Sequence, residues 1–249
     1  MPTKVEIRGH IAEIVLGYAP VNALDANAWL ELAQIIENTG RNKAVRCILI
    51  YAETKGFCAG VDLKELQAHP ERIVDVNRGN YLTFRAVRSC EVPVVVAAHG
   101  FIIGGGIGIC GASDILFASE DAYFSLPEID RGSMGGASHL ARLLPLHKVR
   151  ALYFTGGKCS AAEAYRLGAI EKVVLRADLL NEARAFCEII ATKSRRALVL
   201  AKEALNGIEA TDVDRSYRFE QGFTLEMYMD PDSQTSRDAF VATKDVARF

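Results

Sequence analysis

The stretch "GFIIGGGIGICGASD", Gly100 to Asp114, carries very few side-chain atoms and is a candidate to act through its backbone. It contains six glycines, and its only charged residue is Asp114. Glycines at the start of a helix leave backbone N–H groups uncovered, with the positive end of the helix dipole behind them. Such groups can stabilise negative charge that develops on a carbonyl oxygen. A second glycine turn that enters a helix, "GFCAGVDLKEL", is a candidate source of a second N–H donor.

The same stretch also spells G-x-G-x-x-G at Gly106, Gly108 and Gly111, a pattern typical of dinucleotide-binding loops. A strand predicted over 93–99 and the acidic Glu128, about twenty residues further on, agree with that interpretation. However, the next predicted strand, "DILFAS", begins three residues after the last glycine. Because a crossover helix after that glycine needs about ten residues, we do not expect a dinucleotide site.

The glycine-rich run could also be a membrane-spanning segment or could serve only close helix packing. Val92 to Ala112 is a 21-residue run without Asp, Glu, Lys or Arg, which is long enough to span a bilayer. It contains Pro93, His99 and six glycines, so a buried strand followed by a buried helix explains it better. A purely structural role in close helix packing would leave three consecutive glycines unexplained, since each costs up to about 1 kcal/mol against alanine in a helix.

The composition bounds the class of protein. The chain has 249 residues, is 50% hydrophobic and has a formal charge of −2, with a pI of about 6.2. This predicts one large domain, or one domain with a small appendage, and does not favour nucleic acid or an anionic membrane as a partner. The six cysteines form no C-x-x-C motif, and the N-terminus "MPTKVEIRGH" lacks an apolar signal region. We therefore expect reduced thiols and a cytoplasmic location.

Strands and helices alternate along most of the chain, and the last 70 residues are mostly helical. The predicted elements are two short strands over 4–16, a helix capped by Asp25 and ending at Gly40, a strand in "VRCILIYA", a surface helix over 70–90, strands over 93–99, in "DILFAS" and in "AYFSLPEI", and helices on either side of Pro145. The pattern predicts an α/β core with a helical C-terminal module.

The two glycine blocks, "FCAGVDLKEL" and "GFIIGGGIGICGASDILFASEDAYFSLPEIDRG", resemble the signature blocks of the crotonase (enoyl-CoA hydratase/isomerase) superfamily. "PVNALD", "AKEALN" and "DAFVATK" extend the resemblance over essentially the whole chain. It implies an α/β spiral of ββα repeats over residues 1–190 that holds an acyl-CoA site, and a helical trimerisation region over 191–249. It also implies a homotrimer or dimer of trimers that binds an acyl-CoA thioester, with no other cofactor, no metal, no nucleic acid and no membrane.

The resemblance assigns roles to individual residues. Members of the family hold the thioester oxygen between two backbone N–H groups as an enolate develops, and the matching positions are Val61 and Gly105. Each such donor is worth roughly 10²–10³ in rate. Contacts with CoA are implied at Ala23, Ala59, Asp62, Leu63, Phe240 and Lys244. The last two match the family pattern loosely and would come from a neighbouring subunit.

One departure from the family pattern is informative. Hydratases of the family carry one glutamate just after the glycine run and a second in a "PE" twenty residues later. Here Gly108 occupies the first position, and Glu128 keeps the second. Hydration needs one group to deprotonate water and another to protonate carbon, and a positioned acid–base group is worth roughly 10²–10⁴. We expect weak hydratase activity, with Glu128 as the principal acid–base residue.

Asp130 and His139 are candidates to assist Glu128. In a strand, residues 128 and 130 point to the same face, and two close carboxylates would raise the pKa of one of them. Two other interpretations remain open: Asp130 pairs with Arg131 at the surface, and His139 is a packed core histidine.

A closer resemblance is carried by "NRGNYLTFRAV", "SEDAYFSLPEIDRGSMGGASHLARL" and "SYRFEQGFTLEMYM". These segments are similar to the ring-opening hydrolases of bacterial steroid degradation, which cleave a C–C bond in a cyclic β-keto thioester. That reaction uses the oxyanion hole without the missing glutamate. Tyr217 and Glu220, in the last segment, are candidates to close the acyl pocket. Two alternatives stay open: an enoyl-CoA hydratase or isomerase on an unusual substrate, and a non-catalytic acyl-CoA-binding protein.

Overall fold

The central sheet is largely parallel, and most of its strands are buried on both faces. The computed structural model describes residues 2–243. The six strands, in spatial order, are β1 (Lys4–Arg8), β2 (Ile11–Leu16), β4 (Cys47–Ala52), β6 (Val94–Ala98), β8 (Ile115–Ser119) and β11 (Lys172–Val174). Only the β1–β2 pair is antiparallel, as expected for two strands joined by a short turn. The runs of Val, Ile and Leu in the middle strands suit a sheet that is covered on both sides.

Two smaller sheets flank this one. The first is a two-stranded parallel pair of β3 (Ala23–Leu24) and β5 (Gly60–Val61). The second has the order β10 (Lys158–Ser160), β9 (Tyr123–Ser125) and β7 (Phe101–Ile103). Both sheets are short, and their strands lie at the ends of loops that lead toward one cavity.

Alternate residues of each central strand face different helices. On one face, Val94 and Val96 join a large apolar core with helices α1 (Ala26–Arg41), α3 (Ile73–Arg88) and α4 (Gly105–Ala112). On the other face, Val95 packs beneath α8 (Leu179–Ala191). This alternation follows from the two-residue period of a strand.

The first long helix has the predicted start, but the second differs from its prediction. Asp25 caps α1 by accepting a hydrogen bond from the Ala28 N–H at 2.7 Å. The helix predicted over 70–90 is confirmed by α3, but its predicted surface position was wrong, because α3 packs closely against α1 and α4 and buries Val76, Asn80 and Phe84. The many polar residues of α3 had suggested solvent exposure.

The remaining helices cover the ends of the sheet. They are α2 (Leu63–Ala68), α5 (Ala137–Leu143), α6 (Leu146–Thr155), α7 (Ala161–Arg166), α9 (Arg195–Ile208), α10 (Val213–Tyr228) and α11 (Pro231–Thr243). The predicted break at Pro145 is confirmed, since it separates α5 from α6. Helix α10 returns to pack against α3 and α5. The division of the chain at residue 190 stays a prediction.

An ion pair between a buried lysine and a solvent-accessible aspartate connects α9 with the core. The Lys202 ammonium donates to Asp114 Oδ2 at 2.7 Å and to the backbone carbonyls of Val87 and Val92 at 3.1 and 3.2 Å. Only 4% of Lys202 is exposed. Asp114 is the single charged residue of the glycine-rich stretch, so its role is to hold the C-terminal helices on the sheet.

The glycine-rich stretch folds as a strand followed by a helix, as predicted. It contains β7 and α4, and across the described range no helix combines the length and apolar content needed to cross a bilayer. β6 and β8 are adjacent parallel strands, and the crossover between them contains α4, so no further helix follows Gly111 before β8. The crossover can be short because Gly106, Gly108 and Gly111 lie inside α4 rather than before it.

Candidate active site

A mostly apolar cavity lies where α2, α3, α10 and the N-terminus of α4 meet. Its walls come from segments far apart in sequence, including Val61, Leu66, Asn80, Gly105, Glu128 and Tyr217. The cavity therefore collects both glycine blocks and the "PE" glutamate in one place. A concave apolar site with a few convergent polar groups is typical of small-molecule binding.

Two backbone N–H groups are available at this cavity. Gly105 is the first residue of α4, so its N–H has no carbonyl one turn earlier to which it can donate. The Asp62 N–H donates to the Leu24 carbonyl at 2.9 Å. Because N–H directions alternate along a strand, the N–H of Val61 points away from that partner strand, toward the cavity. Both residues line the cavity, as the oxyanion-hole prediction requires.

Glycine is needed at two positions around these donors. Gly60 has φ of +87°, and a Cβ there would stand 3.1 Å from the Gly105 nitrogen, where it would cover the donor. Gly104 has φ of +52°, and a Cβ there would stand 2.5 Å from Glu128 Oε1. Positive φ disfavours residues with a side chain. The close approach also shows that the Glu128 carboxylate lies directly beside the start of α4.

The Glu128 carboxylate is prepared for proton transfer. Its Oε2 is buried and, among the described residues, has no hydrogen-bond partner. Burial raises the pKa of Glu128 to about 7, against a smaller opposing effect of the nearby Arg131 guanidinium. A carboxyl group with a pKa near the working pH can both accept and return a proton.

The predicted convergence of Glu128 and Asp130 on one strand face was wrong. Strand β9 ends at Ser125, and residues Pro127–Arg131 form a 3₁₀ turn that begins at the proline. The Asp130 carboxylate points toward Gly156, away from the cavity wall. Because a 3₁₀ turn rotates about 120° per residue, the two carboxylates cannot share a direction.

His139 lies behind the cavity rather than in its wall. Its side chain is buried between the rings of Phe84 and Tyr217, with centroid distances of 4.8 and 4.9 Å. Burial lowers the pKa of His139 to about 3. Neither ring nitrogen has a hydrogen-bond partner within the described residues. The structure therefore places a neutral, packed imidazole here, away from Glu128's carboxylate.

The space beside Gly108 is filled by an aromatic ring. A Cβ at this position would overlap the ring of Phe84, which is buried and also packs edge-on against Trp29 at 5.8 Å. A side chain at the position where the family's hydratases have their first glutamate would therefore require the Phe84 ring to move.

We expect the substitution Gly108→Ala to lower the free energy of unfolding by about 1–3 kcal/mol, because the added methyl group overpacks the core. Chemical denaturation would measure this change. Gly207→Ala is the matched control: Gly207 lies in α9 and has open space around it. An equal loss in both variants would contradict the overpacking argument.

Only some of the residues implied for CoA contact line the cavity. Ala59 and Leu63 line the cavity. Asp62 caps α2 by accepting the Lys64 N–H at 2.9 Å. Ala23 lies in β3, paired with Gly60, one layer behind the lining residues.

Of the two C-terminal residues implied for CoA contact, the structure describes only Phe240. The ring of Phe240 lies 4.3 Å beneath the guanidinium of Arg131, which itself lines the cavity. Phe240 thus reaches the cavity edge of its own chain through Arg131. Lys244 lies outside the described residues.

The structure adds residues that the sequence did not single out. Asn77 and Asn80, on α3, line the cavity. The signal that could have found them is their spacing from Val76 and Phe84, which puts all four on neighbouring positions of one helix face. Across the described residues, no cluster of His, Cys, Asp and Glu is suited to a metal ion.

Tyr217 and Glu220 were predicted to close the acyl pocket, and the structure separates them. Tyr217 lines the cavity. Glu220 instead accepts the backbone N–H groups of Ala137 and Ser138 at 2.8 and 3.0 Å, and so caps the N-terminus of α5. This cap orients the loop that precedes α5 and contributes to the cavity wall.

Sequence comparisons connect the chain with acyl-CoA enzymes. Residues 6–247 match the family model described as enoyl-CoA hydratase/isomerase. A (7aS)-7a-methyl-1,5-dioxo-2,3,5,6,7,7a-hexahydro-1H-indene-carboxyl-CoA hydrolase of Rhodococcus jostii is 46% identical, over 94% of this chain and 91% of the relative. The hydrolase of the same name from Mycobacterium tuberculosis is 45% identical, over 93% and 94%. A short-chain-enoyl-CoA hydratase of Clostridium acetobutylicum is 29% identical, over 98% and 96%.

Comparison with solved structures establishes the fold. An enoyl-CoA hydratase/isomerase from Xanthobacter autotrophicus superposes with a TM-score of 0.90 at 21% identity, covering 98% of this chain and 94% of its own. Human enoyl Coenzyme A hydratase domain-containing protein 3 gives a TM-score of 0.80 at 26% identity, covering 100% of both chains. The fold is therefore that of the crotonase superfamily.

Proposed function

The chain belongs to the enoyl-CoA hydratase/isomerase family, and on this premise we propose that it hydrolyses a C–C bond to open the ring of a cyclic β-keto acyl-CoA. The observation that carries this proposal is the pair of donors at Val61 and Gly105 beside a single carboxylate, Glu128. The names of the two relatives that are 46% and 45% identical support it, since both are hydrolases of a bicyclic dioxo acyl-CoA.

One carboxylate is sufficient for this chemistry. Glu128 removes a proton from water, and the water oxygen bonds to the ring ketone carbon. The bond between that carbon and the α-carbon of the thioester then breaks, and its electron pair forms a thioester enolate. The enolate oxygen is held by the N–H groups of Val61 and Gly105. Glu128 returns its proton to the α-carbon, so the acyl-CoA gains one water and a new carboxylic acid.

Hydration of an enoyl-CoA fits the site less well. It needs a second acid–base group near Glu128, and the place where the family's hydratases carry one is filled by Phe84. The non-catalytic alternative would assign no role to a Glu128 carboxyl that has a raised pKa and whose Oε2 has no hydrogen-bond partner in the described part of the chain.

The product distinguishes the candidate reactions. The purified enzyme would be incubated with a cyclic β-keto acyl-CoA, including the dioxo compound for which the two relatives are named. We expect a product heavier by one water that still carries CoA, detected by mass spectrometry. Release of free CoA thiol would indicate thioester hydrolysis instead. Rapid hydration of crotonyl-CoA would favour the hydratase alternative, and binding without any product would favour the non-catalytic one.

The pH dependence of ring opening follows from the carboxylate. Glu128 must be ionised to accept a proton from water, and burial raises its pKa to about 7. We therefore expect kcat/KM to rise as the pH rises through about 7 and to level off above it. Initial rates between pH 5 and 9 would test this prediction. A profile that is flat from pH 5 to 8 would contradict it.

We further infer a homotrimer or a dimer of trimers in the cytoplasm, with CoA carried by the substrate as the only cofactor. Apolar side chains on α10 and at its end support an interface: Phe219, Phe223 and Met229 are 71%, 45% and 84% exposed in the isolated chain. Ala23, Ala59, Asp62, Leu63, Phe240 and Lys244 remain the proposed CoA contacts. Sedimentation velocity would determine the number of subunits.

A further inference from the structure

Two asparagines stand in an otherwise apolar part of the cavity wall. Asn77 and Asn80 are 8% and 4% exposed, and they line the cavity together with Val76 and Phe84. Asn77 Nδ2 and Asn80 Oδ1 are buried and have no hydrogen-bond partner among the described residues. An unmade hydrogen bond of this kind costs about 1–3 kcal/mol. A cavity that retains one unpartnered donor and one unpartnered acceptor is suited to a ligand that is itself polar at this place.

Neighbouring contacts orient the Asn80 side chain and hold the backbone at Asn77. Asn80 Nδ2 donates to the Val76 carbonyl at 3.1 Å, which turns Oδ1 the other way. A Cβ on Gly105 would stand 3.3 Å from that Oδ1, so the Asn80 acceptor lies next to the oxyanion hole. Gln221 on α10 donates to the Asn77 carbonyl at 2.6 Å and fixes this turn of α3. Asn77 and Asn80 are three residues apart and therefore neighbours on the helix surface.

Ring opening develops negative charge on two oxygens in succession. The ketone oxygen becomes an alkoxide when water adds, and the thioester oxygen becomes an enolate oxygen when the C–C bond breaks. In a β-keto thioester a single carbon separates the two carbonyl carbons. When the thioester oxygen is bound by Val61 and Gly105, the ketone must therefore lie within a few bond lengths of the same place. Arg131, Ser133, Tyr217 and Thr224 also line the cavity, but among its described lining residues the buried polar atoms without a partner belong to Glu128 and to the two asparagines.

We propose that Asn77 and Asn80 form a second oxyanion site, which binds the ring ketone of the substrate. Asn77 Nδ2–H donates to the ketone oxygen as the water oxygen bonds to its carbon and a water proton passes to Glu128. Asn80 Oδ1 accepts a hydrogen bond from the hydroxyl group that has been added. The inference rests on the proposed function and deepens it, because a substrate without a β-ketone would leave both groups unpartnered.

Two reactions separate this site from the first oxyanion hole. Ring opening needs both sites, whereas exchange of the α-protons of the ring-opened acyl-CoA with D2O needs only the enolate and Glu128. We expect Asn77→Asp and the neutral variant Asn77→Ala to lower kcat for ring opening by roughly 10²–10³, which is typical of losing one oxyanion donor. Exchange, followed by mass spectrometry, should stay within about threefold of wild type in a folded variant.

A variant of an asparagine outside the cavity is the control. Asn206 lies outside the cavity, and its Nδ2 donates to the Arg88 carbonyl at 3.0 Å, so Asn206→Ala should leave both rates unchanged. If both Asn77 variants slow exchange as much as ring opening, or slow neither, the second oxyanion site is refuted while the proposed function stands. If the wild type exchanges α-protons but opens no cyclic β-keto acyl-CoA, the proposed function fails and this site fails with it.

Discussion

Glu128→Gln should lower kcat for ring opening by roughly 10²–10⁴, because the amide can neither accept the proton of water nor return it to the α-carbon. Neither of the two other candidate acid–base residues can take over the role of Glu128. The carboxylate of Asp130 points toward Gly156, and the imidazole of His139 is sealed between two rings. Steady-state rates with the cyclic β-keto substrate would measure the loss.

The same substitution should stabilise the free enzyme above pH 7. Burial raises the pKa of Glu128 from 4.5 to about 7, so the folded state favours the protonated carboxyl. Stability from this group is present below the unfolded pKa and is lost as the pH rises through about 7. Glutamine resembles the protonated form at every pH. We therefore expect Tm of Glu128→Gln to exceed that of wild type at pH 8 and to approach it at pH 5.

An exposed glutamate provides the control. Glu120 lies after β8, at the surface, and Glu120→Gln should change neither the rate nor the pH dependence of Tm. Turnover of Glu128→Gln close to that of wild type would remove this residue from the mechanism. A Tm that falls at pH 8 would show instead that the ionised carboxylate is satisfied in the folded protein.

Lys202→Met is expected to lower the free energy of unfolding by about 1–3 kcal/mol, the cost of leaving buried hydrogen-bonding groups without a partner. The ammonium has three hydrogen-bond partners, and its removal takes a charged donor from the Asp114 carboxylate and from the backbone carbonyls of Val87 and Val92. The effect should reach the C-terminal helices first, because this contact joins α9 to the core. Urea denaturation would give the change in free energy.

Two variants test the cause of that loss. Lys193→Met removes an exposed ammonium between α8 and α9 and should change stability by less than about 0.5 kcal/mol. Lys202→Met combined with Asp114→Asn removes the uncompensated charge and should recover part of the loss. In the wild type, the Val94 N–H donates to Asp114 Oδ2 at 2.7 Å. The side-chain oxygen of an asparagine at position 114 can still accept this hydrogen bond. A double variant that is less stable than Lys202→Met would indicate that packing, and not charge, is responsible.

The sequence predicted those parts of the site whose chemistry is carried by neighbouring residues. The glycine run, the turn before α2 and Glu128 are each recognisable locally, since residue type and spacing define what they can do. The central strands were predicted for the same reason, because a run of β-branched apolar residues favours a buried strand over other secondary structures. Asp130 was misplaced because Pro127 converts the end of a strand pattern into a 3₁₀ turn.

The asparagines and Phe84 were beyond local prediction for a different reason. A polar residue on a helix looks the same in sequence whether it faces water or a cavity, so the sequence of α3 predicts a surface helix. The role of Phe84 depends on a contact with Gly108, which lies 24 residues further along the chain. Such contacts are set by how helices pack, which neither helix specifies alone.

The contact between Phe84 and Gly108 also bears on how such an enzyme can change over generations. A glutamate cannot appear at position 108 while the ring is present, since even a methyl group would overlap it. Shrinking the ring first would open a void that costs about 3–5 kcal/mol, a large share of the 5–15 kcal/mol that typically separates folded from unfolded chains. Each single step thus leads through a poorly folded intermediate. Selection acting on one substitution at a time would therefore disfavour the introduction of a second carboxylate at this position.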